Sequence, residues 1–138
     1  MINVVILVFY NFLFSSTTNL AVKIDNIQSN SGYIYISLYS TDEGFPSDIS
    51  HAEKVLKVKA KKGFLTVNFK DIPIGNYAVS VFQDINSNKK LDTSFMGIPK
   101  EPIGVSNNIK GFMGPPSFND CKFLVKSSTK IIINLDEM

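Results

Sequence analysis

The sequence predicts an all-β domain: an antiparallel sandwich of two sheets, built from about seven strands and carrying one long ordered loop. Three observations predict it. Tyr33–Tyr39 (YIYISLY) alternates strictly, with Ile34, Ile36 and Leu38 on one face and Tyr33, Tyr35 and Tyr39 on the other, the period of a half-buried strand. Other short segments of strand character recur along the chain, each bounded by glycine, proline, asparagine or aspartate. No segment holds a helical period for long, so the helical crossovers of a parallel α/β fold are missing.

The chain opens with a different kind of segment. From Met1 to Val22 there is no charged side chain, and Val4–Phe14 (VVILVFYNFLF) is an apolar run of signal-peptide length followed by Ser15, Ser16, Thr17 and Thr18. The expectation is a signal peptide over 1–18, cleaved near 16–19, and a single sandwich domain over 19–138. No A-x-A cleavage site is present, and no Lys or Arg precedes the run. The run is too short to span a bilayer, so no stable membrane span is expected after cleavage. The alternatives are a buried first strand or helix, or a retained anchor. Export implies a periplasmic or secreted bacterial protein.

The strands follow in order: Leu20–Ile27, Tyr33–Tyr39, Lys54–Ala60, Phe64–Phe69, Tyr77–Phe82, Cys121–Val125 and Lys130–Leu135. Lys61-Lys62-Gly63 reads as a hairpin turn between adjacent antiparallel strands, with Gly63 free to take a positive φ. Asp71-Ile-Pro-Ile-Gly-Asn-Tyr-Ala-Val79 reads as a tight corner that delivers Tyr77, Val79 and Val81 inward. That stretch resembles the prolyl turn of transthyretin-like and carboxypeptidase-regulatory sandwiches, so an immunoglobulin-like or transthyretin-like arrangement is expected. The lone Cys121 cannot form an internal disulfide and is expected to be buried and inert.

At 138 residues and 44% apolar composition the chain can bury one core. A net charge of +2 is too small to make the basic stripe that nucleic acid requires, so no nucleic-acid partner is expected.

Function is expected in the stretch between Phe82 and Asn119, which is long for an inert connection. Its apolar residues Phe95, Met96, Ile98, Ile103, Phe112 and Phe118 imply that it packs down on the sandwich. Asp84, Asn86, Asn88 and Asp92 occupy alternate positions of the kind found in calcium loops, which would bind weakly, at about 0.1 to 1 mM. Against calcium, Lys89 replaces the turn glycine and Phe95 the closing glutamate. The competing reading is a loop whose Asx side chains cap their own backbone. Apart from calcium no cofactor is expected.

Ser106, Asn107, Asn108, Phe112 and Phe118 form a second cluster, read either as a surface for a protein, peptide or glycan or as polar groups satisfying the backbone. Catalysis has little support. A hydrolase would have to draw on Asp84, Asp92 or His51, at least two of them converging in a pocket and a metal assisting, and no nucleophile elbow, zinc pair or phosphate loop accompanies them.

Ser40-Thr-Asp-Glu-Gly-Phe-Pro46, Asp71-Ile-Pro-Ile-Gly-Asn-Tyr77, the Val81–Thr93 segment, Phe95-Met-Gly-Ile-Pro-Lys100 and Gly111-Phe-Met-Gly-Pro-Pro-Ser-Phe118 occur in that order. In this the chain resembles the bacterial family called domain of unknown function 2141, over about residues 20 to 135. The resemblance implies an exported sandwich without an established activity, and a glycine where this chain has Lys89. The functional expectation is a noncatalytic binding or structural module with a loop-built recognition surface. A further alternative is an assembly subunit that adds an edge strand to a partner sheet.

Overall fold

The computed structural model describes residues 16–111 and 113–136. Most of the expected signal peptide, and Phe112, lie outside the described residues. The strands are β1 (Thr17–Ile27), β2 (Tyr33–Tyr39), β3 (Lys54–Lys59), β4 (Gly63–Pro73), β5 (Gly75–Asp84), β6 (Ile103–Val105), β7 (Phe123–Val125) and β8 (Thr129–Asn134). A single helical turn, α1 (Phe118–Cys121), precedes β7. The smaller sheet runs β4-β1-β8 and the larger β3-β2-β5-β6, with β7 pairing the start of β5. The two-sheet, all-β sandwich is as expected. β1 begins at Thr17, ahead of the expected domain boundary, and pairs Thr17 and Thr18 with Pro73 and Ile72.

The core lies where the alternating faces meet. Leu20, Val22 and Ile24 of β1, Ile34, Ile36 and Leu38 of β2, Val67 and Phe69 of β4, and Tyr77, Val79 and Val81 of β5 are buried together. Each such side chain removed from water contributes roughly 1.5–3 kcal/mol. The Pro73–Gly75 corner is closed by the Tyr77 hydroxyl, which donates to the Pro73 carbonyl at 2.5 Å.

Three features depart from the sequence reading. The Lys61-Lys62-Gly63 turn is not a hairpin: β3 pairs with β2 and β4 with β1, so the turn carries the chain between sheets. Both strands point apolar residues at the same core from opposite sides, and such a turn specifies a reversal without specifying a sheet. Gly63 does take the expected positive φ, +104°. Second, β1 and β8 are parallel. β7 ends beside Gly75, so β8 must set out from the end of the sandwich where β1 also starts.

Third, the outer face of β2 is covered. Tyr39 is fully buried; its ring meets Phe45 edge-on at 5.3 Å, and Phe45 in turn meets Phe118 at 5.9 Å. Beneath them Ala78, Val105 and Cys121 form a second small core. Cys121 is buried as expected but belongs to α1 rather than to a strand, and burial pushes its thiol up to about 11. β6 supplies an eighth strand from within the long loop.

Candidate functional site

The loop after β5 is built on two buried carboxylates. Asp84, wholly excluded from solvent, accepts the Asn88 N–H at 3.2 Å and the Lys89 N–H at 2.8 Å. Those two bonds bend the chain through Ser87 and Lys89, at φ +58° and +66°. Glu101, also buried, accepts the Ile85 N–H at 2.6 Å and the Asp92 N–H at 2.9 Å, holding both ends of the turn. Sequence reasoning missed Glu101. Its only signal is a lone carboxylate between Lys100 and Pro102, and nothing there says that it reaches back to residues 85 and 92.

Of the four residues expected to hold calcium, Asn86, Asn88 and Asp92 join through their side chains, whereas Asp84 meets Asn88 only at its backbone N–H. Asn86 and Asn88 donate their side-chain amides to the two oxygens of Asp92, each at 2.6 Å, and Asn88 Oδ1 accepts the Lys90 N–H at 3.2 Å. The contacts are hydrogen bonds within the loop. Both asparagines direct N–H donors at Asp92 where a cation needs oxygen lone pairs. Bonds from Asn88 and then Asn86 hold the Asp92 carboxyl below the usual aspartate range. Among the described residues no cluster of three His, Cys, Asp or Glu side chains could hold a metal ion.

Above this base stands a short hairpin. Lys100 N–H donates to the Asp92 carbonyl at 2.8 Å, Thr93 bridges Pro99, and Ser94 N–H donates to the Ile98 carbonyl at 2.8 Å, with Gly97 at φ +76°. The residues at its tip do not pack down on the sandwich as expected. Phe95 is 100% exposed, Met96 72% and Ile98 49%. The tip is closed by its own backbone bonds and is too short to fold back over the sheet.

The cluster around residues 106–118 behaves in the opposite way. Ser106 is fully buried and so belongs to no surface; its hydroxyl accepts the Val79 N–H at 2.9 Å and donates to the Cys121 carbonyl at 2.7 Å. Asn107 donates to the carbonyls of Asp120 and Lys122, both at 3.1 Å. Asn108 acts as a strand partner for β8, donating to the Ile132 carbonyl at 3.2 Å and accepting the Asn134 N–H at 2.9 Å. Phe118 packs on Phe45. These side chains close the fold.

His51 lies between Asp48 Oδ2 at 3.0 Å and Glu43 Oε1 at 3.2 Å, in the loop that follows Tyr39. Hydrogen bonds from Ser50 hold the Asp48 carboxyl below its usual range. Tyr33 pairs with Asp84 and Tyr39 with Ala78, so the length of β2, about 20 Å, separates His51 from the Asp84 loop. His51 does not converge with Asp84 and Asp92.

The fold and this loop define a class: a two-sheet β-sandwich that displays an apolar tip on a braced loop at one end. The chain belongs to DUF2141, described as an uncharacterized protein conserved in bacteria, whose family model matches residues 22–133, from within β1 to near the end of β8. No curated protein and no solved structure matches it.

Proposed function

We propose that the protein is an exported, noncatalytic binding module whose recognition surface is the loop of residues 85–100. The observation that carries this reading is the tip: Phe95, Met96 and Ile98 are displayed on a hairpin whose base is held by the buried carboxylates Asp84 and Glu101. An apolar cluster held out on rigid supports suits an anchor for a partner. The second cluster is set aside as a surface, because Ser106, Asn107 and Asn108 are engaged with the backbone. Export is supported by the uncharged apolar run over 4–14. A noncatalytic role is supported by the separation of His51 from Asp84 and Asp92. Calcium would require Asn86 and Asn88 to turn their oxygens toward Asp84 and Asp92, giving up the bonds that now order the loop.

The test is site-specific photo-crosslinking of the full chain in an exporting bacterium, with the reactive side chain placed at position 95 or, as a control, at the exposed Ile74 of the opposite end. A discrete adduct at 95 that is absent at 74 is the expected result. Equal labelling at both positions, or none at 95, would overturn the reading.

A further inference from the structure

We infer that the partner of the Phe95 loop is an anionic lipid surface, into which the tip inserts while lysines around it meet the headgroups. The inference rests on the reading of that loop as the recognition surface.

Side-chain chemistry and charge point the same way. The tip exposes an aromatic ring, a flexible thioether and a branched aliphatic, the side chains that enter the headgroup boundary, above an open recess lined by Ile85, Asn86, Asp92, Thr93, Lys100 and Glu101. Lys89, Lys90 and Lys100 stand exposed around its base, whereas two of the loop's three carboxylates, Asp84 and Glu101, are buried on backbone amides. The third, Asp92, is partly buried and bound by two asparagine amides.

The positive rim continues beyond the loop. The crossing between β3 and β4 brings exposed Lys59, Lys61 and Lys62 to the same end, since Ala60 bonds to Gly32 and Lys62 to Asn30, next to Asp84. Two further carboxylates toward this end, Asp25 and Asp136, are paired with Lys23 and Lys110.

The opposite end is of mixed sign. The loop over residues 40–53 carries Asp42, Glu43, Asp48 and Glu53 with no lysine, and exposed Lys54, Lys70, Lys122 and Lys126 stand beside it. A negatively charged plane would therefore attract the Phe95 end more strongly than the other. β1 starts beside Pro73, about 30 Å away along β5.

The chain has no tryptophan, so Phe95→Trp places a single reporter at the tip and Ile74→Trp one at the other end. The full-length variants would be titrated with vesicles of phosphatidylcholine alone, or of equimolar phosphatidylcholine and phosphatidylglycerol. The expected result is a blue shift of Phe95→Trp emission on the anionic vesicles, none on the neutral ones, and no shift for Ile74→Trp. Adding Lys89→Gln, Lys90→Gln and Lys100→Gln should weaken binding roughly fivefold per lysine, about a hundredfold together.

No shift on anionic vesicles, an equal shift on neutral ones, a shift confined to Ile74→Trp, or a triple variant that binds unchanged would each overturn the inference. A cross-link from position 95 to a protein, with no response to vesicles, would overturn the lipid surface alone. Absence of both would overturn the reading of the loop as well.

Discussion

The two ends of the sandwich use the same residue types to opposite effect. Toward the Tyr39 end, Ser106 and Asn107 tie the loop to its neighbours, and the aromatic residues they help to enclose, Tyr39, Phe45 and Phe118, pack on one another. At the Asp84 end, aspartate, asparagine and glutamate satisfy the loop's own amides, and the apolar residues Phe95 and Met96 are left outside. A polar loop that bonds to its neighbours buries its aromatics, whereas one that bonds to itself can hold them in solvent. The first arrangement stabilises the fold and the second keeps a surface available.

Breaking the base of the display loop should have the largest effect. Gly32 sits at φ +70°, and a Cβ there would lie 1.8 Å from the Asp84 carbonyl oxygen. Gly32→Ala must move backbone, and a loss of at least about 4 kcal/mol is expected from urea unfolding. A loss under about 1 kcal/mol would show that the Asp84 end gives way easily, and the contrast with the Tyr39 end would weaken. A pair of variants then separates closure from display. Ser106→Ala leaves the Val79 N–H and the Cys121 carbonyl buried without their partner, which costs about 2 kcal/mol. Phe95→Ser removes a larger side chain but one wholly in water, and should change stability by no more than about 0.5 kcal/mol. Equal losses in the two melts would mean that the tip is packed and not displayed.

The sequence reveals the core strands because alternation reports burial directly: Ile34, Ile36 and Leu38 are read as one face and are found as one face. It does not reveal that the other face of β2 is covered, because Phe45 and Phe118 reach Tyr39 from distant parts of the chain. The pairing of β3 and β4 is illegible for a similar reason, since Lys61-Lys62-Gly63 encodes a turn and the choice of sheet is made by strands far away. Within the candidate site, the meeting of Asn86 and Asn88 with Asp92 is legible from their spacing. Glu101 is not, because its bonds to Ile85 and Asp92 depend on how the hairpin between them closes. The apolar residues of the loop are misleading in the sequence: hydrophobicity alone implies burial, and only the geometry of the turn at Thr93 and Pro99 shows Phe95 and Met96 facing water.

The smallest expected effect bears on why a lysine occupies position 89. Its φ of +66° is a conformation in which a side chain costs roughly 1–2 kcal/mol, and the resemblance to the family implies glycine there. Glycine would keep the N–H bond to Asp84 and relieve that strain, but it would give the unfolded chain more freedom, a loss of about 0.5–1 kcal/mol. Lys89→Gly should therefore be more stable than the natural chain by about 0.5 kcal/mol, a rise in melting temperature of about 2 °C. If the lysine serves the charged rim, the same substitution should weaken binding to anionic vesicles roughly fivefold, and Lys89→Gln should weaken it equally without the gain in stability. Should Lys89→Gly stabilise the domain and leave vesicle binding untouched, position 89 would be a matter of backbone alone, and the display end would differ from the closed end in shape but not in charge.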